Sequence, residues 1–145
     1  MEVYTIGCTR RSAAAFFGTL RQAGIRRLLD VRLHNTSQLA GFAKRDDLAF
    51  FAREICDAEY VHEPLLAPST ELLRAYQKRQ LAWDQYATGY LSLLDGRDIA
   101  SSLDRSLLAG PTALLCAEPT AERCHRRLAV EYLEAAWGGL TPIHL

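Results

Sequence analysis

The sequence predicts an α/β fold, a single three-layer domain over residues 1–145 with a mostly parallel sheet of four to five strands flanked by helices. First, short apolar segments rich in β-branched residues alternate with segments whose apolar residues recur at helical spacing. Second, segment 28–31 is apolar until its end, as expected of a strand covered on both faces. Third, 145 residues is the length of one domain, and no repeat or long linker interrupts the chain. Such alternation implies crossover connections, which make the strands parallel.

Five short segments are predicted as strands because they are apolar or β-branched and end near glycine, proline or a charged residue. They cover residues 3–6, 28–31, 60–62, 113–116 and 142–144. Helices are predicted between them from apolar periodicity and capping residues. They are one capped by Thr9 or Ser12 and ended by Gly24, one opened by Asp46 or Asp47, two within 68–94, one over 97–109 and one from Pro119 to Gly138.

Charge and hydropathy argue against several classes of protein. Seventeen basic residues balance seventeen acidic ones, which argues against broad nucleic-acid binding. No apolar run reaches the roughly 18 residues that a membrane span requires. The chain enters strand-like sequence at once, with no basic leader, so we expect a cytoplasmic protein without membrane attachment.

The four cysteines, at positions 8, 56, 116 and 124, are expected to be free thiols because no secretion signal precedes them. No C-x-x-C motif occurs, so neither a zinc knuckle nor a thioredoxin-type pair is encoded.

The segment 114–127 carries most of the chemistry. Helical spacing places Cys124 and His125 on one face with Leu128, and a buried histidine needs a polar partner. Cys116 lies between a strand end and a helix N-terminus, where free amides favour a thiolate. We therefore consider Cys116 as nucleophile or redox thiol, His125 as general base and Glu118 as acid or orienting group. A core role for Cys124, a structural role for His125 and an inert Cys116 stay open.

A metal site is the competing interpretation of the same segment. Cys116, Cys124 and His125, with His144 arriving on the last strand, offer sulfur and imidazole donors suited to a transition metal such as zinc or iron. Their spacing matches no standard zinc motif.

Further candidate residues lie where other predicted strands end, the edge at which open α/β sheets bind ligands. Asp30 and Arg32 are two apart and face the same side of a strand. They either hold an anionic ligand through the guanidinium or form a structural ion pair. Thr9 and Ser37, in the loops after the first two strands, and Arg126 are the remaining candidates for binding.

These motifs together resemble a known family. Thr5-Ile6-Gly7, Asp30-Val31-Arg32, Cys116-x-Glu118 and Cys124-His125-Arg126 are similar, over nearly the whole chain, to the domain of unknown function 488 family. The resemblance implies a compact α/β domain and marks as signature positions Asp30, Arg32, Cys116, Glu118, Cys124, His125 and Arg126. It assigns no reaction. Cys8-Thr9 departs from the His or Tyr followed by Ser that many members carry.

Three functions are compatible with this sequence. The favoured one is an enzyme for a small polar or anionic, nucleotide-like substrate, with Arg32 and Arg126 binding its charged part. The second is a metal- or redox-responsive binding protein that uses the same thiols and histidine. The third is a nucleic-acid-associated module with Tyr60, Trp83 or Tyr86 stacking on bases, which zero net charge disfavours.

Overall fold

We describe the protein from a computed structural model, over residues 1–36, 41–118 and 120–145. Ser37 and Pro119, which carry a predicted binding role and a predicted helix start, lie outside these residues.

A five-stranded parallel sheet forms the centre of the molecule, which confirms the predicted α/β fold. Its spatial order is β3-β2-β4-β1-β5. The central strand β4 is buried along its whole length, in keeping with its apolar sequence. The strands are β1 (Glu2–Gly7), β2 (Arg27–Asp30), β3 (Glu59–His62), β4 (Thr112–Cys116) and β5 (Thr141–His144).

Helices cover both faces of the sheet, as the three-layer prediction requires. One apolar core, with Phe16, Phe17 and Leu48, lies under α1 and α2, and a second, with Tyr90 and Leu128, lies under the later helices. The helices are α1 (Ala13–Gln22), α2 (Arg45–Cys56), α3 (Thr70–Gln77), α4 (Trp83–Gly96), α5 (Ile99–Ser102) and α6 (His125–Trp137). None of these helices, within the described residues, is long and apolar enough to cross a membrane.

Two helix predictions were wrong in extent. The single helix expected over 97–109 is instead the short α5 and a separate 3₁₀ turn, Arg105–Leu108. The Asp104 carboxylate accepts a hydrogen bond from the Ser106 amide at 2.9 Å and so starts the new turn. The helix expected from Pro119 begins only at His125, after Cys124 in extended conformation.

The late start of α6 follows from side chains that hold the preceding loop. Arg126 donates to the Glu118 carbonyl at 2.6 Å, and Arg127 donates to the Ala121 carbonyl at 3.2 Å. These carbonyls are therefore bonded to guanidinium groups and not to helical amides.

Gly7 permits the closest approach between β1 and this loop. A Cβ added to Gly7 would lie 1.7 Å from the Glu118 carbonyl oxygen and 2.8 Å from Arg126 Nη1. Only a residue without a side chain fits there, so the carbonyl and the guanidinium occupy the space that Gly7 leaves.

We expect Gly7→Ala to lower the free energy of unfolding by about 3 kcal/mol or more, because the methyl group would overlap backbone atoms. Gly18→Ala is the matched control. Gly18 lies inside α1 with nothing within 4 Å of an added Cβ, and alanine there should stabilise by about 0.5–1 kcal/mol. Urea unfolding of both variants measures the difference; equal stabilities would contradict this account of Gly7.

Candidate functional site

A cleft of about 420 Å³ opens at the carboxyl edge of the sheet, beside the ends of β2 and β4. Its floor contains Cys116, Cys124 and His125, and its far wall is formed by α3 and α4. The topology explains this position, since β4 lies between β2 and β1 and carries Cys116 to the middle of the edge. The structure thus brings together the three residues of the segment predicted to carry the chemistry.

Cys116 and Cys124 lie in direct contact. Their sulfurs are within bonding distance, whereas Cys8 and Cys56 are free and buried. The prediction of four free thiols was therefore wrong for Cys116 and Cys124, because the fold places Cys124, just before α6, over Cys116 at the end of β4. The Cα atoms of the pair are 7.4 Å apart, wider than the roughly 4.4–6.8 Å usual for disulfides.

His125 is the first residue of α6 and is nearly fully buried. Its Nε2 lies 2.8 Å from the Val31 carbonyl oxygen. Because a carbonyl only accepts, Nε2 carries the proton and Nδ1 keeps its lone pair. Burial lowers the pKa of His125 to about 4, and the nearby Arg126 charge acts in the same direction. The ring is therefore neutral at pH 7.

Arg126 lies beneath the cysteines and does not line the cleft. Its side chain is 1% exposed, and besides the Glu118 carbonyl it contacts the Cys124 sulfur, with Nη1 3.7 Å from Sγ. Burial lowers the pKa of Arg126 to about 10, and the positive charge of Arg11 acts in the same direction. Its Nε has no hydrogen-bond partner among the described residues. The structure thus places Arg126 as a buried cation beside the Cys124 sulfur and outside the lining of the cleft, and not at a substrate-binding surface as predicted.

Asp30 and Arg32 form a closed ion pair. Arg32 donates from Nε and Nη2 to the two Asp30 carboxylate oxygens, each at 2.8 Å, and both side chains are buried. Tyr60 donates to the same carboxylate, and burial beside Asp30 raises the pKa of that phenol. Of the two predicted roles, this geometry corresponds to the structural ion pair, although Arg32 also lines the cleft.

Other predicted residues lie apart from the cysteines. Thr9 donates through its hydroxyl to the Ala117 carbonyl and so ties the loop after β1 to the loop after β4. His144, on the edge strand β5, has its Nδ1 2.6 Å from the Thr5 hydroxyl. The compact group of potential metal ligands in the described part of the chain contains Cys116, Cys124 and His125 but not His144.

Tyr76 and Arg123 were missed as part of a binding surface, and Tyr86 was considered only for stacking on bases. Tyr76 and Tyr86 line the cleft with their rings stacked 4.6 Å apart, and the exposed Arg123 lies at its mouth. Each tyrosine has helical spacing to an apolar residue of its own helix, Tyr76 to Leu72 and Tyr86 to Tyr90, and this pattern also predicts core packing. Glu118 also lines the cleft. The pKa of Tyr86 is raised by the burial of Tyr86 and, next, by the negative charge of Glu118. The feature of the sequence that could have indicated this surface is the high aromatic content of residues 76–90.

Comparison with known proteins shows the family. The family model described as "Domain of unknown function DUF488" matches residues 12–133. The chain belongs to this family. No curated protein and no solved structure matched the chain. The match confirms the resemblance found in the sequence and adds no reaction, so the function of this DUF488 chain has to be argued from its cleft.

The neutral His125 predicts a pH dependence of stability. Its pKa is lowered from 6.5 to about 4 in the folded chain, so the unfolded chain alone binds the proton between these values. Stability should therefore be complete above pH 6.5 and fall by about 3 kcal/mol as the pH drops to 4. Denaturant unfolding in the presence of a chelator measures it. His125→Gln should flatten this part of the curve, whereas a control change at the exposed His34 should not; an unchanged curve in His125→Gln would contradict the assignment.

The buried ion pair predicts a contrast between two aspartates. Asp30→Asn leaves the Arg32 charge buried without a carboxylate and should cost about 3–5 kcal/mol. Asp57→Asn removes the exposed partner of Arg26, where the Asp57 side chain is 88% exposed, and should cost less than about 1 kcal/mol. Thermal and urea unfolding compare the two, and similar losses would show that Asp30 is not held as described.

Proposed function

We propose that this DUF488 chain is an enzyme that acts on a small polar or anionic substrate bound in the cleft, with Cys116, Cys124 and His125 as its reactive centre. The observation that carries the proposal is the position of these three side chains. They form the floor of an accessible cleft at the carboxyl edge of a parallel sheet, where α/β proteins bind their ligands.

The size of the cleft suits a small molecule. A volume of about 420 Å³ lies in the range of small-ligand sites, roughly 300–1,000 Å³. The stacked Tyr76 and Tyr86 offer an aromatic wall against which a flat group can lie. A nucleotide-like molecule, with a planar ring and a charged part, matches this combination.

Arg123 supports an anionic substrate. It is exposed at the mouth of the cleft and has no ion-pair partner within the described ranges. Its guanidinium is thus available for a carboxylate or phosphate. Arg32 lines the same cleft but is already bound by Asp30, so it supports an anion through its charge and not through free N–H groups.

Glu118 is the group best placed to move protons. It lines the cleft close to the cysteines, and its carboxylate acts on Tyr86 across the cleft. General acid–base catalysis needs a carboxyl that reaches the substrate without being held by an ion pair. No ion pair involves Glu118 among the residues described by the structure.

A redox-responsive binding protein is the second candidate, and the contact between Cys116 and Cys124 favours it. Such a protein would change its ligand affinity with the oxidation state of the pair and convert nothing. A nucleic-acid module has less support, since the net charge is zero.

We expect binding in the cleft to depend on Arg123. Reduced protein would be screened by thermal shift against nucleoside phosphates, sugar phosphates and small carboxylates. For a compound that stabilises the wild type, Arg123→Gln should weaken binding about 10-fold, the loss of one charge-assisted hydrogen bond. Arg53→Gln, on the exposed surface of α2, should leave it unchanged.

Conversion of the bound compound is then followed by mass spectrometry. Cys116→Ser should retain binding and abolish conversion. Retained binding that varies with oxidation, with no conversion by the wild type, would favour the redox-responsive protein. Equal weakening by Arg123→Gln and Arg53→Gln would contradict the placement of the substrate.

A further inference from the structure

We infer that Cys116, Cys124 and His125 bind one transition-metal ion of the zinc type, with a coordination position open to the cleft. This goes beyond the proposed function, because the ion can be bound whether or not the cleft takes a substrate. The donor atoms of the three residues all lie within 4.8 Å of one another. Around a shared zinc, with Zn–S about 2.3 Å and Zn–N about 2.0 Å, such donors lie roughly 3.3–3.9 Å apart. Small side-chain adjustments therefore suffice to enclose an ion.

The backbone spacing of the two cysteines suits a shared ion better than a direct bond. Their Cα atoms are 7.4 Å apart, and pairs beyond about 7 Å require backbone movement to form a disulfide. A metal ion between the two sulfurs holds them farther apart than a direct bond does, and so suits a wider spacing of the Cα atoms. Both residues come from well-anchored positions, the end of β4 and the residue before α6, so the spacing is fixed by the fold.

The hydrogen bond of the histidine ring leaves one of its nitrogens free to bind a metal. Its Nε2–H is held by the Val31 carbonyl at 2.8 Å, which leaves Nδ1 as the ligating nitrogen. Metal-binding histidines are commonly fixed in this way by a carbonyl or carboxylate on the other ring nitrogen. The Val31 carbonyl is therefore the outer partner of the site.

Arg126 donates a hydrogen bond to one of the two sulfurs. It is a buried cation with no carboxylate partner among the described residues, and its Nη1 lies 3.7 Å from the Cys124 sulfur. Two thiolates, one neutral imidazole and a divalent ion sum to zero charge, and Arg126 donates to one of the thiolates. The donor set is soft, which selects zinc over magnesium or calcium.

Three protein ligands leave a fourth position for water or substrate, as in catalytic and not in structural zinc sites. That position faces the cleft, because all three residues line it. Glu118 lines the cleft as well and is not one of the three ligands. A zinc ion here would lower the pKa of a bound water toward neutrality and supply hydrolytic chemistry to the cleft.

The test is elemental analysis of full-length, untagged protein purified with reductant and without chelator. We expect close to one zinc per chain. The zinc affinity is then measured by competition with a chromophoric chelator. Cys116→Ser, Cys124→Ser and His125→Ala should each weaken zinc binding more than about 100-fold, beyond the effect of losing an outer partner. Cys56→Ser and His144→Ala are the matched controls and should retain the ion, since neither residue belongs to the cluster.

Cobalt substitution of the wild type keeps the test valid if a variant fails to fold. Cobalt bound by two thiolates should give an intense thiolate-to-metal charge-transfer band. The inference is overturned if reduced wild-type protein binds neither ion on reconstitution, or if the controls lose zinc as the ligand variants do. Ligand binding in the cleft by metal-free protein would leave the proposed enzyme standing, whereas zinc binding without any cleft ligand or conversion would leave only the metal site.

Discussion

A partly buried hydrogen bond from the Arg126 guanidinium to the Glu118 carbonyl, made in the space above Gly7, positions the loop on which the candidate site depends. It joins the end of β1, the loop after β4 and the first turn of α6. Without it the loop would still be held by Thr9 at the Ala117 carbonyl and by Arg127 at the Ala121 carbonyl, but its contact with β1 above Gly7 would be lost. The cation is buried without a carboxylate among the described residues, an arrangement that costs free energy unless carbonyl and sulfur acceptors surround it. Burying Arg126 therefore fixes the position of the loop at some cost to the free energy of folding.

A second set of contacts positions the site from the side of β2. The closed pair of Asp30 and Arg32 fixes the strand end, and the next carbonyl, that of Val31, orients the His125 ring. The two buried arginines therefore have different partners. Arg32 is neutralised by a carboxylate, whereas Arg126 stays charged beside sulfur. Arg126 thus supplies a positive charge beside the Cys124 sulfur, which favours a thiolate there.

The parallel sheet, and the grouping of Cys116, Cys124 and His125 at its carboxyl edge, could be predicted from the sequence, since they depend on local patterns and on the common polarity of the strands. Prediction from the sequence failed for side chains whose positions depend on contacts between distant parts of the chain. Nothing local shows that Arg126 points under the cysteines, or that His144 lies one strand too far away and bonds to Thr5. The aromatic wall could not be predicted because Tyr76 and Tyr86 lie on different helices, each at a position that also suits core packing, and meet only in the folded chain. The start of α6 was missed because side chains, and not helical amides, satisfy the preceding carbonyls.

The most direct test of the account is a crystal structure of protein purified under reducing conditions, with diffraction recorded on both sides of the zinc absorption edge. The account predicts one anomalous peak about 2.3 Å from the sulfurs of Cys116 and Cys124 and about 2.0 Å from His125 Nδ1. The Nε2 of His125 should still donate to the Val31 carbonyl. Continuous density joining the two sulfurs at about 2.05 Å, with no anomalous peak, would contradict it.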